Sequence, residues 1–461
     1  GVQALGHAEL DLRAGVEVAV LLTDDLAVRV ADGVVEALAL DARVDPDVEA
    51  GSAFGDPEAQ RPAPGADRPQ RALDAAAVGV GHVAQLDPRR VPTKAAWRVG
   101  KRLSEAVISK HMREQGRVPE NIGIYWMASD IMWSDGEGMA QIMDLLGVAP
   151  VWQTNGRVKG IEIIPLEKLG RPRVDVTIRL SGILRDQFPD CMEVIDEAIQ
   201  AVAALDEPVE MNFPRKHALE KLTQAGKSPD DASAWRDATL RLFASKPGTY
   251  GAGVQLAIYA SAWKDEKDLA DIFVHWNGYA YGRGVFGKKA YRELSSSLKS
   301  VEITYNKVVT DEYDLFGCCC YFGTHGGLTA AARAASGKRV KSYYGDTREP
   351  QHVQVRDLAD EVRRVVRTKL LNPRYIEGLK RHGYKGAGEI SKRVGRVYGW
   401  EASTQEVDDW IFDDIARKFA LDADMRKWFE EKNPWALEEM MRRLLEAHER
   451  GLWDACLLYT S

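Results

Sequence analysis

The stretch RVDVTIRLSGILRDQFP, Arg173 to Pro189, decides the fold class. Val174, Val176 and Ile178 alternate with Asp175, Thr177 and Arg179, which is the period-2 signature of a half-buried strand. Ser181-Gly182 ends that pattern. The apolar positions Met192, Ile195 and Ile199 that follow predict a helix, with Asp190 as its cap. In a strand–helix unit of this kind, ligands gather at the carboxyl end of the strand. Arg179, Ser181, Arg185 and Asp186 are placed there together. A solvated turn with one Arg–Asp pair is the plain reading; a ligand-facing cluster is the functional one.

Working outward, the same alternation recurs. Asn121–Ala128 (NIGIYWMA) reads as a buried strand, and its loop carries Asp130, Asp135 and Glu137. A helix from Met139 to Leu146 closes at Gly147. Val158–Ile164, Val301–Val309 and Lys341–Asp346 read as further strands, and Ser228–Ser245 as helical. Strands separated by helices predict an α/β fold with a parallel sheet. Beyond Val353 the chain reads as helical, with Asn372-Pro373 and Asn433-Pro434 as cap-plus-proline starts. The expected divisions are 86–245 (α/β), 246–350 (Gly- and aromatic-rich α/β) and 351–455 (helical).

Both ends look different. Before Lys94 there is no Lys, Ile, Met, Asn, Tyr, Trp or Cys, and Ala, Val, Asp, Gly, Arg and Pro dominate. Residues 1–85 therefore read as irregular or non-native, a translation of the wrong frame or strand joined to a genuine protein, with little to build a core from. Residues 456–461 also read as foreign. Neither end enters the functional argument.

A net charge of −7 with no basic stripe argues against a nucleic-acid partner. No apolar run reaches the roughly 20 residues of a membrane span. Five cysteines, three of them adjacent, are no disulfide framework, so the expected compartment is the cytoplasm.

Several other strings carry polar chemistry. Arg215, Lys216 and His217 form a basic cluster at a helix start, where the helix dipole disfavours cations; an acidic ligand or partner would explain it. SKPGTYGAGV, Ser245 to Val254, is a Gly-rich loop before a helix and contains Tyr250. Gly282, Gly287 and Lys288 have Walker-A spacing, but Lys289 stands where Ser or Thr must hold Mg²⁺, so no P-loop is assigned. In YDLFGCCCYFGTHGGL, Cys318 and Cys320 would share one face of an extended run, and His325 is a borderline ligand. With no second Cys pair for structural zinc, a transient metal contact or a buried apolar strand is expected.

Taken in order, IGIYWMASDIMWSDGEGMAQIMDLLGVAPVW, GRPRVDVTIRLSGILRDQFPD, DEPVEMNFPRKHALEKL, FGTHGGLTAAARAASG, LLNPRYIEGLKRHGYKGAGEI and EVDDWIFDDIARKF resemble the large, tetrapyrrole-binding subunit of cobaltochelatase, the CobN family, related to the large (H) component of magnesium chelatase. The resemblance runs from about Leu86 to Trp453 and corresponds to the C-terminal third or so of that family. It implies a ligase-type reaction: ATP-dependent insertion of Co²⁺ into hydrogenobyrinic acid a,c-diamide in cobalamin biosynthesis. ATP and Mg²⁺ would be used by separate AAA+ partner subunits. An upstream motif of the family has no counterpart here, so the chain is expected to be incomplete as a catalyst. On this resemblance Glu137, His325 and His217 are candidate catalytic groups. Ser181, Arg185, Asp186, Arg215, Lys216 and Tyr250 are candidate substrate contacts, and His325, Cys318 and Cys320 candidate metal contacts. Magnesium or nickel insertion, a non-catalytic tetrapyrrole-binding or assembly module, and an unrelated α/β enzyme are the competing readings.

Overall fold

In this computed structural model residues 87–455 are described; the expectations for 1–85 and 456–461 lie outside them. Ten strands are present among the described residues: β1 Asn121–Trp126, β2 Val148–Trp152, β3 Val158–Ile163, β4 Asp175–Leu180, β5 Leu242–Ala244, β6 Tyr279–Gly282, β7 Val285–Lys289, β8 Ile303–Val308, β9 Lys341–Asp346 and β10 Gln354–Asp357. Eight form one sheet in the order β10-β9-β8-β1-β4-β5-β6-β7, and β2–β3 form a separate hairpin. The five central strands are parallel, and β10 and the β6–β7 hairpin add antiparallel edges. The α/β class is therefore as expected, followed by a helical C-terminal region.

Helices cover both faces, which the alternation along β8 makes visible. Tyr305 points with Gly345 toward Leu103 of the Lys94–Gln115 helix. Its neighbour Thr304 points the other way, to Thr329 of the Gly327–Ser336 helix. Burial on both faces corrects the half-buried reading of β4, because all six of its residues are buried. Its polar side is satisfied internally: Asp175 pairs with Arg241 and His217, and Thr177 bonds Asn121. A buried parallel strand normally reads as continuous hydrophobics; here internal pairing replaces that signal.

Other expectations change too. Ser228–Ser245 is not one helix: Ala232–Ala238 ends where the Thr239 hydroxyl donates back to Trp235, and three residues then form β5. The segment after Val353 contributes β10 before the helices begin. Asp190 lies in the first turn of Pro189–Ala203 rather than capping it, while Ser181 caps the short helix Gly182–Gln187. The run through the cysteines is not extended. It opens a helix, Cys319–Tyr321, that passes through a π-turn, Phe322–Gly326, into Gly327–Ser336. The glycines there serve packing: a Cβ on Gly326 would stand 2.1 Å from Ser403 Oγ, and one on Gly327 2.8 Å from Phe273. Asn372 and Asn433 cap their proline-started helices as read.

The described residues fall in one compact unit. The positions 245/246 and 350/351 lie inside it: β5 ends at Ala244 and pairs with β6 beyond, and β9 pairs with β10. No helix among the described residues is long and apolar enough to cross a membrane.

Candidate functional site

β1 lies between β4 and β8, and the connections leaving β1 and β8 run over opposite faces of the sheet. This makes the carboxyl ends of β1 and β8 the topological switch point, where α/β sheets open a crevice. A narrow cleft is found there. It is lined by Met127, Ser129 and Trp133 after β1, Lys307 to Thr310 at the end of β8, and Tyr313, Tyr321 and Tyr344. Trp133 and Tyr313 stack at 4.7 Å between ring centroids while 48% and 41% exposed. Met132, Ile183 and Tyr250, on the loops and helices that follow β1, β4 and β5, are exposed as well. The carboxyl edge thus carries an apolar, aromatic rim.

Beneath it lies buried charge. Lys307 reaches Asp130 at 2.7 Å, Glu137 at 2.9 Å and the Ser134 hydroxyl at 2.7 Å. Asp130 also accepts from the Trp126 indole (2.9 Å) and from the backbone N–H of Gly138 (2.7 Å) and Met139 (3.0 Å). Burial pushes the Asp130 carboxyl upward, but Lys307 and these donors hold it below the ordinary carboxylate value. Glu137 is thus part of a buried ion triad. Lys307 belongs to none of the motifs; its signal is a lysine inside a six-residue strand, ITYNKV, that is buried throughout.

The other predicted residues separate into three places. Ser181, Arg185, Asp186 and Tyr250 do meet at the carboxyl edge. The Ser181 hydroxyl accepts from Leu184 and Ala128 N–H. Arg185 is buried and fully used: it forks onto Asp186 (2.6 and 2.8 Å) and donates to the carbonyls of Ser245, Lys246 and Thr249. The Tyr250 hydroxyl donates to Asp186 at 2.8 Å. The Arg–Asp pair is real, and its task is to hold the Gly-rich loop.

Arg215, Lys216 and His217 sit at the opposite, amino edge. Arg215 pairs with Asp206, and Lys216 with Glu120. The His217 ring bridges Asp175 (2.8 Å) and Glu120 (3.4 Å). Burial lowers its basicity, but the two carboxylates outweigh that and raise it. The acidic partners of this cluster are internal.

His325 is wholly buried. Its Nε2 meets Thr304 Oγ1 at 3.2 Å, its ring lies against Tyr344 and Trp400, and Nδ1 has no hydrogen-bond partner among the described residues. Burial pushes its pKa down to about 3, with Thr304 opposing. Among the described residues no three His, Cys, Asp or Glu side chains are grouped to hold a metal ion. Cys320 does lie near Arg179 and Tyr125, at the carboxyl ends of β4 and β1.

A surface hollow of about 600 Å³ is lined by Glu266, Lys267, Arg333 and Gly337 to Arg339, before β9. Its Arg333 is occupied by Val340, Glu266 and Glu406. The crevice at the switch point is the better candidate.

A doubly wound α/β sheet whose switch-point crevice has an aromatic rim and a charged floor defines a ligand-binding α/β protein. Comparison with known proteins narrows the class. Residues 82–456 match the family described as CobN/Magnesium Chelatase, and the chain belongs to that family. It is 61% identical over 368 residues to an uncharacterized protein of Methanocaldococcus jannaschii, covering 80% of this chain and 29% of that one. It is 38% identical over 383 residues to the H component of magnesium chelatase from Chlorobaculum parvum, covering 81% and 29%. Its fold resembles the solved catalytic subunit of cobaltochelatase from Mycobacterium tuberculosis, with a TM-score of 0.77 and 38% identity over 80% of this chain and 31% of that one. The chain therefore spans about 30% of the length of the relatives it matches.

Proposed function

We propose that this chain is the part of a metal-chelatase large subunit that helps seat a tetrapyrrole for metal insertion. In the cobalt reading, the substrates are Co²⁺ and hydrogenobyrinic acid a,c-diamide, and separate AAA+ subunits hydrolyse ATP with Mg²⁺. The observation that carries the reading is the exposed, stacked Trp133–Tyr313 pair on the rim of the switch-point crevice. A flat macrocycle needs apolar walls of this kind, and polar groups beneath them fix its orientation. Tyr250 and Ile183 extend the rim, and Ser181, Arg185 and Asp186 position them.

Metal insertion must remove two ring N–H protons, so a base is needed within hydrogen-bond reach. Glu137, tied to Lys307 beside the cleft, is the proposed proton handler. His325 and His217, each enclosed by the fold, act by positioning: His325 supports the π-turn and His217 the amino ends of β1 and β4. Magnesium insertion is the second reading, favoured by the equal 38% identity to a magnesium-chelatase component and to a cobaltochelatase component.

The test is a titration of the chain with hydrogenobyrinic acid a,c-diamide and, in parallel, a porphyrin, followed by tryptophan quenching. Saturable quenching that weakens in W133F supports the reading. No quenching by either ring refutes it for this chain. In an assembled chelatase, Glu137→Gln is expected to abolish insertion and spare ring binding; unaltered turnover removes Glu137 from proton transfer.

A further inference from the structure

Six arginines are buried among the described residues: Arg173, Arg179, Arg185, Arg241, Arg393 and Arg443. Five have a carboxylate in ion-pair contact, from Glu207, Asp186, Asp175, Asp314 and Glu446 in the same order with Arg179 left out. Arg179 has none among the described residues. It is 3% exposed, and its guanidinium meets only neutral acceptors: Nε donates to Asn277 Oδ1 at 3.0 Å and Nη2 to the Gly251 carbonyl at 2.5 Å. Among the described residues no hydrogen bond is made by Nη1. Burial, with the cation Arg185 adding to it, lowers the pKa of Arg179, and the ionisable Tyr125 and Cys320 oppose.

Burying a cation without a counter-charge costs several kcal/mol, and carbonyl partners offset only part of that. The surroundings are not those of a simple structural staple. The guanidinium stands 5.5 Å from the centroid of the Tyr125 ring, its in-register neighbour on β1. Beside Tyr125, Thr324 on the π-turn is buried, its hydroxyl next to the Tyr125 phenol. The Gly251 carbonyl belongs to the loop in which Gly248, Gly251 and Gly253 all have positive φ, a backbone chosen for close approach. Arg179 thus presents an uncompensated guanidinium at the carboxyl ends of β1 and β4, against Tyr125.

The geometry points to Arg179 as the seat of a ligand carboxylate, entering between the Gly248–Gly253 loop and the Cys319–Tyr321 turn. Arg179 offers the carboxylate the fork that Arg185, already closed onto Asp186, does not. The inference rests on the tetrapyrrole reading of the crevice and deepens it: the ring is recognised as an acid.

The experiment compares a porphyrin carrying two propionates with its neutral bis-amide, titrated into the wild-type chain, R179M and R179K. The wild type is expected to bind the acid at least about tenfold more tightly than the amide, since a charged hydrogen-bonded pair is worth about that much. R179M is expected to lose that preference, its affinity for the acid falling about 10- to 100-fold while the amide changes less than about threefold. Loss of the Gly251 contact alone would weaken both rings alike, so an unchanged acid-to-amide ratio in R179M overturns the proposal. Where R179M does not fold, R179K carries the test, because it keeps the charge and loses the fork; a wild-type ratio there is equally fatal. A wild type that binds both rings equally removes the carboxylate seat and leaves the tetrapyrrole reading standing. A wild type that binds neither ring overturns both.

Discussion

Lys307→Met is the most informative single perturbation of the crevice floor. The wild-type ammonium contacts two buried carboxylates at 2.7 and 2.9 Å and the Ser134 hydroxyl at 2.7 Å, with all three charged side chains at least nine-tenths enclosed. Methionine fills much of the same volume, so the transfer of apolar atoms nearly cancels. What remains is the electrostatic loss: Asp130 and Glu137 stay buried and like-charged, without their cation. Removing one partner of a buried pair costs about 3–5 kcal/mol, well above the 1 kcal/mol or less of a surface pair. The pH dependence gives the mechanism away. In the wild type, Lys307 and the N–H donors outweigh burial and keep Asp130 below its ordinary value. That contribution is present above the unfolded carboxylate pKa, near 4, and is lost as pH falls through the folded value. In the variant, burial is left unopposed by the cation, and the Asp130 pKa rises. Acidification then neutralises the buried charge and helps the variant. Urea unfolding of both chains at pH 7.5 and pH 5.0 is the assay. The deficit is expected to be about 3–5 kcal/mol at pH 7.5 and to shrink by about 1–2 kcal/mol at pH 5.0. A deficit under about 1 kcal/mol at pH 7.5, or one that does not change with pH, refutes this account of the floor.

Three further outcomes concern packing and titration, and a fourth the rim. Gly100→Ala would set a Cβ 2.5 Å from Ala140 Cβ and 2.6 Å from the Glu137 carbonyl, where the Lys94–Gln115 and Glu137–Leu146 helices meet; a loss of about 1–3 kcal/mol in urea unfolding follows. Gly378→Ala, in a helix with open space at that position, should instead gain up to about 1 kcal/mol. His325, held near 3 when folded and free to protonate near 6.5 when unfolded, makes stability fall by about 1.4 kcal/mol per pH unit below 6.5; His325→Gln should flatten that slope, and an unchanged slope would show that His325 is not its source. Trp133→Ala with Tyr313→Ala should weaken ring binding at least about tenfold and shift Tm little, because both side chains are already about half exposed; a full-strength titration would place the ring elsewhere.

The sequence by itself determined the class of the fold. Alternation in DVTIRL, the apolar run NIGIYW and the proline-started helices each reflect physics that acts within a few residues, and each element appears close to its expected place. It also placed Arg179, Ser181, Arg185 and Asp186 together, because the carboxyl end of a parallel strand is defined as soon as the strand is. The strings quoted above carried the family as well. β5 escaped because three residues hold too little period to compete with the helical pattern before them. Tertiary structure alone decided what each charge faces. Arg215, Lys216 and His217 resembled a ligand clamp until Asp206, Glu120 and Asp175, distant in sequence, proved to be their partners. His325, a borderline metal ligand by its chemistry, is enclosed by Trp400, and Ser403 fills the space beside Gly326. Arg179 looked like one of several rim cations, and only the folded chain showed that its guanidinium is buried with no carboxylate beside it among the described residues. A charge announces itself in sequence, but the compensation for burying it comes through space, and that is settled only when the strands assemble.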